Sequence, residues 1–354
     1  MIMSRGPISL VMAVLIAGCG RFGRQLSPIR LEAIVTLGEA KGEGAIATTP
    51  VVSARHPGGF RIVTPTISAI QTSPLAFTDD GRYLESLRGD TTALGKFSGP
   101  MFVRLGPGDS IWVFDNSGRV LIFNAQRRFV RTITLPTAPI DAFLLQDNRI
   151  VASFDASAAV QLLDANGALV RIVAATPIES QGVTGSARIV PAPDGSFWTY
   201  RAQPSDRLEH WDTSGTKLGE MTPQADGFLQ QRRSRLDYQQ RYDRPPAPSL
   251  VPRWIDGKGR LWVLGDVADR HWESGLTPRV AGDSASNSIG DFDRYFDTVL
   301  EVRDLRTGAL LAMTRLDNHY TMAEPGVLVH VIHTNAGWQR AELMRVVYNE
   351  TSRP

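Results

Sequence analysis

Gly259-Arg260-Leu261-Trp262-Val263-Leu264 has two near copies in the same chain, Asp109-Ser110-Ile111-Trp112-Val113-Phe114 and Gly195-Ser196-Phe197-Trp198-Thr199-Tyr200. Each opens on a turn residue, runs through an apolar pair with Trp or a β-branched residue, and closes on a polar turn. Weaker copies are Gly59-Phe60-Arg61-Ile62, Asn148-Arg149-Ile150-Val151 and Gly326-Val327-Leu328-Val329. Short alternating apolar segments bounded by Gly, Asp, Asn and Pro read as β-strands. Six strands of one kind therefore recur along the chain.

A second phrase follows each of the first five copies: an apolar strand, Asp or Asn, a turn, and another strand. It reads Phe77-Thr78-Asp79-Asp80-Gly81-Arg82-Tyr83-Leu84, Ile122-Phe123-Asn124 through Phe129-Val130, and Leu163-Asp164-Ala165-Asn166-Gly167-Ala168-Leu169. It returns as Trp211-Asp212-Thr213-Ser214-Gly215-Thr216-Lys217-Leu218 and Val302-Arg303-Asp304 through Gly308-Ala309-Leu310. Asp or Asn followed by Gly suits a tight hairpin, because these residues tolerate positive φ. Steps between matching positions 62, 112, 151, 198, 262 and 329 are 50, 39, 47, 64 and 67. A period of roughly 40–50 residues with several strands per repeat points to a propeller. The two long steps contain insertions at 223–250 and 265–297.

The expectation is all-β: a six-bladed β-propeller of four-stranded antiparallel blades over residues 31–350. The sixth copy lacks its hairpin phrase, so the strand-like segment Leu31 to Leu37 should supply the missing outer strand and close the ring. A pair of β-sandwiches also uses short alternating strands, but has no reason to repeat one hairpin phrase in register. Trp112, Trp198 and Trp262, at equivalent strand positions, read as packing between blades.

The likeness over residues 50–348 rests on Pro252-Arg253-Trp254-Ile255-Asp256-Gly257-Lys258-Gly259-Arg260-Leu261-Trp262-Val263 with Val299 through Gly308. On these residues the chain resembles bacterial six-bladed propeller lipoproteins related to NHL-repeat propellers. That resemblance implies an envelope-facing propeller.

The start of the chain agrees. Arg5 precedes an apolar run from Pro7 to Gly18 that is too short to span a bilayer, and small residues lead into Cys19. Leu15-Ile16-Ala17-Gly18-Cys19 resembles a lipobox, which implies a signal peptide at 1–18, lipidation of Cys19 and a tether at 19–30. The expected partner is then the membrane, held through a lipidated Cys19. Gly20 is not the aspartate associated with inner-membrane retention, so by resemblance to Gram-negative lipoproteins the expected location is the cell envelope, with the anchor in the outer membrane facing the periplasm if the cell is Gram-negative. Cys19 is the only cysteine, so no intrachain disulfide forms.

Lys and Arg number 38 against 36 Asp and Glu, a balance that gives no electrostatic case for nucleic acid. In a four-stranded blade, the connector into a blade lies on the same face as the loop between its second and third strands. Both insertions should then cover one sector of one face, and long loops in compact domains carry function more often than linkage. The first, Asp226 to Asp243, reads as a short helix stopped by Pro245-Pro246 and carrying Arg232, Arg233, Arg235, Arg241 and Tyr242. The second holds Asp269, Arg270, His271, Trp272, Asp291, Asp293 and Tyr295. A ligand or partner face of Arg232, Arg235, Tyr242, Arg270, His271 and Trp272 is the expectation. No catalytic residue, metal ligand or cofactor motif is assigned. His330 and His333, three apart on a strand, point to opposite faces and cannot share an ion. The sequence therefore points to a membrane-anchored binding or scaffold module with an envelope protein or small ligand as partner. A hydrolase or lyase with a central-channel site is the alternative.

Overall fold

Each of the six copies of the first phrase becomes the second strand of a four-stranded antiparallel sheet. The structure is a computed structural model that describes residues 29–39, 41–65, 73–89, 96–154, 160–174, 187–201, 207–224, 226–227, 244–277, 289–334 and 337–350. Strand β1 is Ile29–Leu37. Blade one is β2 (Pro50–Val52), β3 (Phe60–Pro65), β4 (Leu75–Thr78) and β5 (Tyr83–Ser86). Blade two is β6 (Pro100–Gly106), β7 (Ser110–Asp115), β8 (Arg119–Phe123) and β9 (Phe129–Thr134). Blade three is β10 (Pro139–Leu144), β11 (Ile150–Phe154), β12 (Val160–Leu163) and β13 (Leu169–Ala174). Blade four is β14 (Arg188–Pro191), β15 (Phe197–Arg201), β16 (Arg207–Trp211) and β17 (Lys217–Met221). Blade five is β18 (Ser249–Ile255), β19 (Arg260–Ala268), β20 (Phe296–Asp304) and β21 (Leu310–Leu316). Blade six is β22 (Tyr320–Glu324), β23 (Val327–His333) and β24 (Gln339–Tyr348), with β1 as its fourth strand.

Closure follows the expected pairing. β1 runs antiparallel to β24 from Ile29↔Tyr348 to Leu37↔Ala341, with a bulge between Ala33 and Val35. It starts at Ile29, two residues before the expected Leu31, because Ile29 is itself buried and already pairs.

A propeller buries its blades against one another, so each interface needs its own apolar filling. Six hydrophobic clusters occur among the described residues, one at each junction of adjacent blades, including the junction of blade six with blade one. A face-to-face sandwich would make one shared core instead. Trp112, Trp198 and Trp262 belong to three of these clusters and are interblade packing. Second strands such as β3 and β11 are buried along their whole length, as expected of strands covered on both faces. Fourth strands such as β13 are mostly exposed and form the rim.

In blades two, three and four the hairpins between third and fourth strands share one mechanism. Asp164 accepts the backbone N–H groups of Asn166 and Ala168 at 2.8 and 2.9 Å. Asp212 does the same for Ser214 and Thr216, and Asn124 for Gln126 and Arg128. The side chain thus satisfies turn donors that the ladder leaves open. Gly81 and Gly167 follow at φ +86 and +88, each against the last strand of the preceding blade. A Cβ on Gly81 would come within 2.5 Å of the Thr36 carbonyl oxygen, and one on Gly167 within 2.7 Å of that of Thr134. Both conformation and close approach demand glycine there.

Candidate functional site

Polar side chains gather where first strands meet the entrance on the insertion side. Arg104 on β6 donates to the Ala142 carbonyl at 2.7 Å and to Asp141 at 2.9 Å. Asp141 on β10 also accepts the backbone N–H of Ile189, at 3.0 Å through its other oxygen. One carboxylate therefore straps the innermost strands of blades two, three and four. Next in the ring come Arg188 on β14 and Arg253 on β18. Arg253 is the extra residue of a bulge between the Pro252 and Trp254 pairs of β18 and β19. A bulge breaks the alternation of side chains and re-aims one of them.

Arg253 lies within electrostatic reach of Arg188, Asp141, Asp266 and Arg104. Groups from four successive blades converge in this way only near the axis. Burial, then Arg188 and Arg104, push the Arg253 guanidinium below its ordinary value, against the pull of Asp141 and Asp266. Its Nε is buried and has no hydrogen-bond partner among the described residues. Asp266, at the end of β19, pairs with Ser249 across the ladder and lies 3.5 Å from the His319 ring. Burial raises the Asp266 carboxyl, while His319 and Arg253 oppose the rise.

From His319 the polar chain passes into the second insertion. A single helical turn, Phe292–Tyr295, is capped by Asp291, whose side chain accepts the N–H groups of Asp293 and Arg294. Asp293 accepts the backbone N–H of His319 at 3.0 Å and lies 3.0 Å from His330 Nε2. His330 Nδ1 faces Glu342 at 3.5 Å. Burial works to raise the Asp293 carboxyl, but the His330 bond and the His319 N–H hold it below the usual carboxylate range. His330 is raised by the Asp293 bond and, more weakly, by Glu342, with burial opposing. The result is a clasp that ties the insertion to blade six.

The expected face residues separate. Arg270 and His271 are exposed beside β19, with the His271 N–H held by Asp269. Trp272 is buried at 8% exposure and packs edge-on against Tyr295, so it anchors the loop. Gly275 admits no side chain there, since a Cβ would stand 2.6 Å from the Tyr295 nitrogen. Arg232, Arg235 and Tyr242 lie outside the described residues, as do Cys19, residues 1–18, nearly all of the expected 226–243 helix and Gly282 to Ser288. The described start of the first insertion is held at the rim, where Arg303 donates to the Asp226 side chain at 2.7 Å and to its carbonyl. The chain returns at Ser249, opposite Asp266, so both insertions flank the same entrance.

His333 is exposed while His330 sits in the clasp, in keeping with opposite faces. Among the described residues no group of three His, Cys, Asp or Glu side chains is placed to hold a metal, and no helix is long and apolar enough to cross a membrane. On the opposite face a shallow concavity of about 720 Å³ is lined by Trp254, Arg260, Trp262, Pro325 and Tyr348. Trp254 and Trp262 stack at 4.9 Å and are 3% and 4% exposed, so their rings are committed to packing.

The polar entrance was missed by sequence reasoning. Arg104, Asp141, Arg188 and Arg253 carry no common spacing, and only their placement on first strands marks them.

No family model matches the sequence, and no curated protein matches it. Among solved structures, a "Putative exported protein" of Bacteroides fragilis is 9% identical with a TM-score of 0.58, covering 91% of this chain and 96% of that one. A member of the DUF4221 family from Bacteroides vulgatus is also 9% identical, with a TM-score of 0.56, covering 92% of this chain and 100% of that one. At that identity the likeness is one of fold: whole-length propellers with almost no sequence in common.

Proposed function

We propose that this chain is a membrane-tethered envelope module that binds a ligand or protein partner at the entrance ringed by blades four to six. The supporting observation is the clasp. Asp293, His319 and His330 hold the second insertion against blade six while Arg270 and His271 stay exposed beside it. A loop anchored in this way presents contact groups with less ordering cost on binding. The signal-like start, the lipobox-like Cys19 and the NHL-lipoprotein resemblance supply the location, and the neighbour described as exported agrees with it. Catalysis by His330 would need an open ring nitrogen, whereas Nε2 faces Asp293 and Nδ1 faces Glu342.

Two measurements test the reading. Pull-down from detergent-solubilised envelope should recover a partner with the intact chain and much less with Arg270→Glu combined with His271→Ala. Equal recovery removes the proposed face. Cys19→Ser should move the protein from the membrane to the soluble fraction, and unchanged membrane retention refutes the anchor.

A further inference from the structure

We infer that the channel entrance holds an oxyanion-binding site in which Arg253 and Arg188 receive a carboxylate or phosphate group of a ligand. This deepens the binding reading above by naming the chemistry that the entrance takes.

Three observations carry it. First, neither guanidinium makes a hydrogen bond or ion pair among the described residues, although both are set in the inner wall at the junction of blades four and five. Arg253 is the more telling of the two, since its Nε is buried and unpartnered. Buried polar atoms are nearly always satisfied, and a buried guanidinium nitrogen without an acceptor calls for one. Second, the nearby carboxylates are spoken for. Asp141 gives one oxygen to Arg104 and to the Ala142 N–H, and the other to the Ile189 N–H. Asp266 faces His319, and its own burial favours the neutral acid. The local balance of Arg104, Arg188 and Arg253 against Asp141 and Asp266 is three positive groups to at most two negative ones, and burial of Asp266 tips it further toward positive. Third, the bulge at Arg253 is the device that turns this side chain away from the register of Trp254, which stays in the interblade core. The guanidinium fork matches a two-oxygen acceptor, and two forks on adjacent blades offer more donors than one oxyanion needs.

The test uses the full chain in thermal melting and titration calorimetry with inorganic phosphate and with succinate, against sodium chloride at matched ionic strength. The wild-type protein should be stabilised saturably by at least one of the two anions. Preference between them separates a phosphate from a carboxylate site. R253Q and R188Q should each weaken that binding by about tenfold or more, as expected for losing charge-assisted bonds, while the exposed control R82Q leaves it unchanged. Without anion, R253Q should melt no lower than wild type, because the substitution removes a charge that has no partner. Absence of saturable binding beyond the chloride control overturns the inference, and so does binding that survives in both R188Q and R253Q. Should R253Q fold poorly, R188Q, whose side chain is only partly buried, decides the matter alone. Anion binding with undiminished capture by the Arg270→Glu, His271→Ala variant defeats the outer face only. Loss of capture by that variant with no anion binding defeats the channel site only.

Discussion

The hairpin side of the ring and the entrance at blades five and six are built on opposite plans. Around the rim the same Asp or Asn satisfies the same turn donors in blade after blade, and glycine recurs where one blade's hairpin meets the preceding blade's last strand. At the entrance no such unit recurs. Arg253 sits on a bulge, Asp293 reaches out of an insertion, and two histidines are held by carboxylates from different elements. Where the chain repeats itself it is solving a packing problem, and where it departs from repetition it spends polar groups that packing does not require.

The ring seam is the strongest place to break the repeating plan. Truncation through Leu37 removes β1, exposes the edge of β24 and empties the position of Leu37, which is fully buried. Losing one such leucine side chain costs about 2–5 kcal/mol, and each kcal/mol moves a propeller of this length by about 1.5 °C. Because every pairing of β1 with β24 goes together with that leucine, the truncated chain should melt at least roughly 10 °C lower, or fail to fold cooperatively. A variant melting within a few degrees of wild type would show that the ring does not depend on its seam.

Arg303 ranks next. It is 1% exposed, pairs with the fully buried Glu301 at 2.7 Å, and donates to the carbonyls of Gln224, Asp226 and Gly308. Arg303→Met takes the guanidinium away from the buried Glu301 and from three carbonyls, which should cost about 3–5 kcal/mol in urea denaturation. A loss below about 1 kcal/mol would mean that the hairpin of blade five does not rely on its central cation.

The repeating side was legible in the sequence for the reason that it repeats. All six copies of the first phrase became second strands, and all five hairpin phrases became turns between third and fourth strands. One of the weaker copies is explained by its turn: Asn148 takes φ +67, a position that glycine usually fills, and Arg127 at φ +63 stands in for glycine in the hairpin of blade two. Such a residue keeps the turn but erases its mark. The entrance was illegible because its residues are joined only by closure of the ring. Asp293 lies 37 positions from His330, and Arg253 lacks a partner for a reason visible only once Asp141 is seen to be occupied. In the chain His330 reads only as a strand residue that cannot share an ion with His333, and nothing ties it to His319. The fold makes them neighbours of one clasp.

That clasp should give a smaller, pH-dependent effect. His330 is raised above its ordinary 6.5, so its contribution is complete below that pH and is lost as pH climbs through the raised value. Asp293 is lowered from 3.8, so its contribution is present above that pH and fades as pH falls through the depressed value. Between those limits Asp293→Asn should cost about 1 kcal/mol, modest because the pair is partly solvated. Hydrogen-exchange protection factors at residues 289–296, with the intrinsic pH dependence of amide exchange divided out, should fall between pH 6 and 9 in wild type and stay level in His330→Gln. Matching pH profiles in the two proteins would remove the clasp from the entrance.

The smallest effect returns to the repeating side and runs the other way. His210 on β16 stacks on Trp198 at 4.4 Å and 2°, with Nε2 2.7 Å from Ser196 Oγ. Burial lowers its pKa against the weaker pull of Asp194, so the folded protein prefers the neutral ring. Above pH 6.5 neither folded nor unfolded chain carries the proton, and nothing is gained or lost. Below 6.5 the unfolded chain takes up a proton that the folded one resists, so stability declines as pH falls toward the depressed value. His210→Phe keeps the stack and removes the titration. Between pH 7 and 5 the wild type should therefore lose up to about 1 °C more than the variant, a fraction of a kcal/mol at this chain length. Parallel melting curves over that range would mean that the ring is solvated despite its stack. A slope opposite in sign to that of His330 would instead show two histidines of one chain titrating by their surroundings, one held neutral by packing and the other held charged by the carboxylates of the entrance.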